Sequence, residues 1–371
     1  MRSVRDIRVF ANIPILVRAS LNVPVEHESV TSEYRLRKAV STIKYLTERN
    51  ARVVVISHIT GEGTETLLPA AQALRSLIPG VSFFGETVGK GAREAVRALA
   101  PGKILVLENL RRDRRERMND RSFARELAAL ADVFVQDSFD TCHRAHASIV
   151  GVPELLPSYA GLLLEEEMHE LSQALLPKRP SLAVIGGAKF TTKEAMLSTL
   201  LQTYDHVFVG GALASDFLGA SGQEVGKSLV SRGDARVIKR LLANRKLVLP
   251  VDSLVVPSSA VGAPDARAKA RVALAGEVRS DEVILDHGPA TSAILASLAE
   301  KAETILWNGP LGKYENGFVD ATDDFAHAVA RSGARSVVGG GDTVAAIEDL
   351  GLLPRFSFVS TGGGAMLAYL A

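Results

Sequence analysis

The chain has 371 residues, 47% hydrophobic and 23% charged, with 43 Lys+Arg against 42 Asp+Glu for a formal net charge of +1. At roughly 100–200 residues per domain this length predicts two domains, and the near-neutral balance excludes a general polyanion binder, which would need a basic excess. The single cysteine, Cys142, excludes an intramolecular disulfide, no uncharged apolar run reaches the roughly 18 residues of a spanning helix, and the N-terminus lacks a secretory pattern, so we expect a soluble cytoplasmic chain without membrane or nucleic-acid partners.

Short apolar runs rich in β-branched residues alternate with helical patterns. In chain order the first half predicts a strand at Ile15–Val17, a helix at Tyr34–Glu48, a strand at Val53–Ile56 and a helix at Thr64–Leu77. A strand at Ile104–Leu107, a helix at Ser122–Ala131 and a strand at Val133–Val135 follow. Helical spacing from Gly161 ends at Pro177-Lys-Arg-Pro180, which predicts a joining helix over 161–178. Beyond it come strands at Leu182–Ile185, His206–Val209, Leu247–Leu249, Thr304–Leu306 and Ser336–Val338, with helices at Lys193–Thr203 and Asp342–Asp349. Such alternation predicts an α/β chain of two Rossmann-like parallel-sheet lobes joined by a central helix and hinge. Ligands on such sheets sit beyond the carboxyl ends of the strands.

Basic residues occupy those positions in the first half. Arg18 follows the first strand, His58 the second and Arg111 the third; His143 and Arg144 follow the fourth, and Arg35 begins a helix. Together they predict an anion pocket. The run Arg111-Arg-Asp-Arg-Arg-Glu-Arg117 reads otherwise as a solvated segment. Cys142-His-Arg-Ala-His146 has too few ligands for a structural zinc site, and phosphate binding suits it better.

Two strand-to-helix turns dominate the second half. In Ala183-Val-Ile-Gly-Gly-Ala-Lys-Phe-Thr-Thr-Lys193, glycines let backbone N–H groups approach an anion at a helix start. If the helix starts at Lys189, Lys189 and Lys193 share a face. In Val337-Val-Gly-Gly-Gly-Asp-Thr343, Asp342 is placed to cap a helix or to hold a metal against phosphate. Gly222-Gln-Glu-Val-Gly-Lys-Ser228 has only three residues between its glycines where a P-loop has four. The pattern implies a small anionic substrate in one domain and a nucleotide phosphate in the other.

Taken in order, Arg18-Ala-Ser-Leu-Asn22, Ser57-His58, Leu107-Glu-Asn-Leu-Arg111, His143-Arg-Ala-His-Ala-Ser148, Gly186-Gly-Ala-Lys189, Gly210-Gly-Ala-Leu-Ala214, Asp286-His-Gly-Pro289, Trp307-Asn-Gly-Pro-Leu-Gly312, Gly339-Gly-Gly-Asp-Thr343 and Ser360-Thr-Gly-Gly-Gly-Ala365 resemble one family, phosphoglycerate kinase. The resemblance implies reversible phosphoryl transfer between 1,3-bisphosphoglycerate and Mg-ADP, giving 3-phosphoglycerate and ATP. It implies a lobe over 1–160 for the acid and a lobe over 179–358 for the nucleotide, with 359–371 a short hinge segment, in a monomer. The acid residues it implies are Arg18, Ser20, Leu21, Asn22, Arg35, His58, Gly61, Arg111, His143 and Arg144. For ATP or ADP it implies Gly187, Lys193, Gly210, Gly211, Asn308, Pro310, Glu315, Gly340, Gly341, Asp342 and Thr343, with Mg²⁺ at Asp342. Arg35, Lys189 and Lys193 would carry the transfer.

Two departures fall in the acid lobe. The family's Arg-Val-Asp-Phe-Asn has Ser20 in place of its aspartate, the partner of the glycerate hydroxyl. Its Ser-His-Leu-Gly-Arg-Pro becomes Ser57-His-Ile-Thr-Gly-Glu62, with Gly61 for arginine. Losing one charge-assisted contact costs about 1.5–3 kcal/mol. A kinase for another small carboxylate or acyl phosphate, or a weakly catalytic nucleotide-binding paralogue, are the alternatives.

Overall fold

The computed structural model describes residues 1–61, 64–231 and 233–371; Glu62, part of the second departure, lies outside them. The described chain forms two compact units, Met1–His169 and Glu170–Ala371.

In the first unit the elements are β1 (Pro14–Arg18), β2 (Val25–Glu26), β3 (Ser29–Val30), α1 (Tyr34–Thr47), β4 (Arg52–Ile56), α2 (Leu68–Leu77), β5 (Val81–Phe84), α3 (Lys90–Ala98), β6 (Ile104–Leu107), α4 (Arg114–Arg117), α5 (Arg121–Ala128), β7 (Val133–Gln136) and β8 (Ser158–Ala160). Six strands pair in parallel in the order β5-β6-β4-β1-β7-β8. Because side chains alternate along a strand, Ile15, Val17, Val53 and Val55 pack with Leu36, Ile43 and Leu74 in one core. Leu16, Val54 and Ile56 pack with Val96, Phe123 and Leu127 in another. Helices thus cover both faces, as continuous apolar strands require. The chain steps from β1 to β4 on one side and later returns to β7 on the other, so the switch point of this sheet lies between β1 and β7.

Helix α2 starts four residues later than Thr64, its predicted start. Glu108 accepts from Leu67 N–H at 2.9 Å and from the Thr66 hydroxyl at 2.8 Å, tying that segment to the end of β6. Pro69 then takes a first-turn position, which needs no N–H donor.

The helix α6 (Leu162–Ala174) contains the division between the units. There follow β9 (Ser181–Ile185), α7 (Glu194–Thr203), β10 (His206–Val209), α8 (Ala212–Ala220), α9 (Ala235–Leu242), β11 (Leu247–Val248), β12 (Asp252–Pro257), β13 (Arg271–Leu274), β14 (Glu282–His287), α10 (Pro289–Lys301), β15 (Thr304–Asn308), α11 (Asp320–Arg331), β16 (Arg335–Gly339), α12 (Gly341–Asp349), β17 (Phe358–Val359) and α13 (Gly364–Leu370). The second parallel sheet has the order β11-β10-β9-β15-β16-β17, with its switch point between β9 and β15. A separate antiparallel sheet, β13-β12-β14, was not expected. Its strands follow one another without an intervening α-helix, so the alternation that marks βαβ units is absent there. The segment 359–371 contains the end of β17 and α13, which the Ser172–Tyr369 hydroxyl pair (2.6 Å) and Thr199 Oγ1 donating to Ala371 O (3.0 Å) hold on the second unit. Among the described residues no helix is long and apolar enough to cross a membrane.

Candidate functional site

The register of β1 sets Arg18 beside Ile56 of β4 and Gln136 of β7, so three strand ends align. Arg18 is 1% exposed. Its guanidinium donates from Nε to Ser148 Oγ (3.1 Å), from Nη1 to Ala19 O (2.8 Å) and from Nη2 to His58 Nδ1 (3.0 Å). An arginine can only donate, so His58 Nδ1 carries no proton. Burial pushes His58 well below the ordinary imidazole pKa, and the guanidinium groups of Arg18, Arg111, Arg144 and Arg35 push it further. Four arginines from separate elements therefore lie within electrostatic range of one imidazole, and Arg18 touches it.

Not every member faces a ligand equally. Arg18 makes most of its hydrogen bonds within the unit and orients His58. Arg111 is buried, donates from Nη1 to Thr60 Oγ1 (3.3 Å), and has its Nε without a partner among the described residues. Burial and the cations around it lower its pKa to about 10. Arg35 donates to Asn22 O (2.6 Å), while Asn22 Oδ1 accepts from Thr60 N–H (2.8 Å). Asn22 and Arg35 line a recess of about 470 Å³ together with Glu65. Leu21 is a core residue whose N–H donates to Ser57 Oγ (2.9 Å). His143 and Arg144 are exposed side by side, 3.4 Å apart. Ser20 is wholly buried, and its hydroxyl has no partner among the described residues. One expectation is corrected: Glu116, in the run read as solvated, is buried and accepts from Ser148 N–H (2.9 Å) and Oγ (2.6 Å). The Ser148 hydroxyl thereby links Glu116 to Arg18. Nothing in the charge pattern of that run marks one acid as internal.

His58 gives this unit a pH signature. Its folded pKa is depressed, so below the unfolded value near 6.5 the unfolded chain binds a proton that the folded chain does not. Stability present above pH 6.5 is lost as pH falls towards the folded pKa. His143, His146 and His287 add to that loss and the buried acids Asp137 and Asp286 oppose it, so urea unfolding between pH 5 and 7.5 should show His58→Gln differing from the wild type in slope by this one group's share; parallel profiles would contradict the assignment.

In the second unit the carboxyl ends of β10, β9, β15 and β16 carry the glycines. The turns interlock through backbone bonds: Gly187 N–H to Pro310 O (3.0 Å), Gly211 N–H to Leu311 O (3.0 Å) and Leu213 N–H to Gly187 O (2.8 Å). A Cβ on Gly186 would stand 2.1 Å from Pro310 O, so only glycine permits this approach. Gly187, Gly211, Pro310, Glu315 and Asp342 line a cavity of about 310 Å³ whose far wall is apolar, with Leu218, Leu229, Val283, Leu285 and Leu311. Gly211 caps α8 and Gly340 caps α12, so two helix N-termini lie at this sheet edge.

The lysines separate. The predicted shared face is corrected: a 3₁₀ turn, Phe190–Thr192, intervenes, and α7 begins only at Glu194. Lys189 is exposed, whereas Lys193 is 7% exposed and donates from Nζ to the Gly186 carbonyl. Burial alone lowers the Lys193 pKa to about 8. It is a buried cation whose pKa shift records no neighbouring acid.

Asn308 and Thr343 stand behind the turn. Thr343 Oγ1 accepts from Gly309 N–H (3.0 Å), and Asn308 Nδ2 points to Met366 Sδ (3.5 Å). Asp342 lies exposed in the first turn of α12 and makes no side-chain cap, contrary to one of its two expected roles. Gly210 and Gly341 flank the turns without lining the cavity. Sequence reasoning gave no role to His287 and Asp286, which line the cavity; both are buried, and burial moves His287 to about 4 and Asp286 to about 7.

A family model described as phosphoglycerate kinase matches residues 4–371. The chain belongs to the phosphoglycerate kinase family. It is 41% identical over 372 residues to the phosphoglycerate kinase of Azorhizobium caulinodans, covering 96% of this chain and 93% of that one. Among solved structures it resembles the phosphoglycerate kinase of Coxiella burnetii, with TM-score 0.80 and 37% identity over 99% of this chain and 95% of that one. It also resembles that of Pyrococcus horikoshii OT3, with TM-score 0.86 and 28% identity over 100% and 96%. The two six-stranded parallel sheets derived above are thus those of phosphoglycerate kinase structures.

Proposed function

We propose that the chain transfers a phosphoryl group reversibly between 1,3-bisphosphoglycerate and Mg-ADP, yielding 3-phosphoglycerate and ATP, as a monomer in the cytoplasm. The observation that carries this reading is the pairing of two different anion sites at two sheet switch points. Four arginines lie within electrostatic range of His58 in one, and the buried Lys193 stands over interlocked glycine turns in the other.

The acid binds in the first unit, with Arg111, Arg144 and His143 taking its phosphate and carboxylate charge, Arg35 and Asn22 beside them, and Arg18 holding His58 in place. The nucleotide base lies against the apolar wall of the 310 Å³ cavity, Glu315 takes the ribose hydroxyls, and the phosphates lie along Gly187, Gly210, Gly211, Gly340 and Gly341 at the helix N-termini. Asp342 suits Mg²⁺, which needs only one or two carboxylates when phosphate oxygens complete its shell. Bound there, the ion would neutralise phosphate charge. Phosphoryl transfer asks little covalent chemistry of a protein, so positioning and cationic stabilisation by Arg35, Lys189 and Lys193 carry the step.

The reading is tested by steady-state turnover of Mg-ATP with 3-phosphoglycerate, glycerate, acetate or no acid, coupled to NADH oxidation. Turnover dependent on 3-phosphoglycerate supports it. Faster turnover of another carboxylate would replace the acid, and background rates with measurable ADP binding would leave only a nucleotide binder.

Gly61 has its own consequence. A Cβ there would meet Glu65 Oε1 at 1.8 Å, the end of a flexible side chain. An arginine at 61 would pair with that carboxylate. Gly61→Arg should therefore lower the KM for the acid less than Gly61→Arg with Glu65→Gln; equal effects would show that Glu65 does not compete.

A further inference from the structure

The basic constellation of the first unit contains one carboxylate whose capacity is not filled. Two acids act on Arg18, Glu116 and Asp140. Glu116 is occupied on both oxygens by Ser148. Asp140 sits in the 3₁₀ turn Phe139–Thr141, four residues past the end of β7, the strand whose Gln136 pairs with Arg18. It is 8% exposed. Its Oδ1 accepts from the Ser138 hydroxyl at 2.5 Å, and among the described residues Oδ2 accepts no hydrogen bond. Arg18, Arg111 and His143 all feel its charge, yet among the described residues none of them forms an ion pair with it. The acid is held among cations without being neutralised by contact.

Ser20, two residues past β1, provides no substitute. It is 0% exposed, and its hydroxyl has no partner among the described residues. A pocket of guanidinium and amide donors reads the phosphate and carboxylate of a three-carbon acid, but its secondary hydroxyl is itself a donor and needs an acceptor. We propose that Asp140 is the acceptor for that hydroxyl, making it the residue by which this acid site distinguishes a hydroxy acid from its deoxy analogue. The proposal rests on the acid-site reading above. Asp140 Oδ1 stays fixed by Ser138 and Oδ2 receives the O–H; a ligand lacking the hydroxyl leaves that oxygen desolvated and unpaired.

The experiment compares kcat/KM for 3-phosphoglycerate and for 3-phosphooxypropanoate, which lacks the hydroxyl, in the wild type, Asp140→Ala and Asp140→Asn. The wild type should prefer the hydroxy acid by about ten- to a hundredfold. Asp140→Ala should reduce that preference to about threefold or less, through a higher KM for 3-phosphoglycerate, while activity on the deoxy acid holds or rises because a negative charge has left an anion site. Asp140→Asn keeps the shape and one neutral acceptor and should lose part of the preference, so it decides the matter alone if the alanine variant fails to fold. A preference at the wild-type value in either folded variant would overturn the proposal. A wild type that does not turn over 3-phosphoglycerate would instead overturn the reading of the acid site. Because each preference is a ratio within one preparation, partial unfolding cancels from it.

Discussion

Lys193→Ala is expected to cut turnover by roughly tenfold or more while leaving the fold intact, measured as kcat at saturating ATP and 3-phosphoglycerate. Its amine is buried, its only hydrogen bond among the described residues is to the Gly186 carbonyl, and its pKa is lowered by burial alone. A charge held this way awaits an anion. The same geometry fixes two signs. Above pH 8 the empty site holds a neutral amine, and a phosphate oxygen favours the charged one, so nucleotide binding takes up a proton. ADP affinity should then fall as pH rises through 8, by up to about tenfold per unit from this group, and Lys193→Met should abolish that slope. For stability, the unfolded lysine keeps its proton to about 10.5 and the folded one only to about 8. Stability therefore rises with pH across that window, and at pH 7 the charged amine costs on the order of 3 kcal/mol. Lys193→Met should raise the melting temperature as it lowers the rate. A variant both inactive and less stable would mean that the lysine merely supports the turn.

Gly186→Ala should produce the largest loss of stability. Its Cβ would stand 2.1 Å from Pro310 O, 2.6 Å from Gly309 O and 2.8 Å from Pro310 C, all backbone atoms that cannot turn aside. Forcing them apart costs about 3 kcal/mol, a fall of roughly 6–12 °C in Tm for a unit of this size. It would also move a wall of the cavity, so ADP binding should weaken with it. Gly341 is the contrast: a Cβ there meets nothing within 4 Å, and its φ lies outside the left-handed region. Gly341→Ala should hold Tm or raise it by up to about 4 °C while weakening ADP binding, because the proposed path of the phosphates runs along this glycine. Thermal melts with and without ADP separate the two glycines. Equal Tm losses would mean that both serve the fold alone.

Much of this architecture is legible in the sequence because parallel strands buried on both faces write themselves as unbroken apolar runs. Arg52–Ile56 and Ser181–Ile185 are examples, each followed by polar or glycine residues where ligands bind. The antiparallel strands Asp252–Pro257 and Arg271–Leu274 were missed because no α-helix punctuates them, and because Arg271–Leu274 turns Val272 and Leu274 outward instead of forming a buried apolar run. At the site, residue type and position relative to a strand were enough to gather Arg18, Arg35, His58, Arg111 and Arg144. They were not enough to tell which groups face outward. Lys189 and Lys193 look equivalent until the 3₁₀ turn between them buries one. Arg18 looks like its neighbours until its guanidinium is seen to donate to Ser148, Ala19 and His58 within the unit. Thr343 also has a fold role that spacing does not show, since its oxygen accepts Gly309 N–H while its own O–H stays available to a ligand. Asp140 carried no signal, since an acid among bases reads as ordinary charge balance until its unfilled oxygen is known. Burial and competing hydrogen bonds depend on residues distant in the chain, and spacing does not encode them.

The central claim, that the acid is held by the first unit and the nucleotide by the second, is tested most directly by titrating 3-phosphoglycerate and Mg-ADP separately into the wild type, Arg111→Ala and Gly341→Ala by calorimetry. Arg111→Ala should weaken the acid at least tenfold and leave Mg-ADP unchanged. Gly341→Ala should do the reverse. A loss of both ligands in each variant, or of Mg-ADP in Arg111→Ala, would contradict the division of labour between the two sheets.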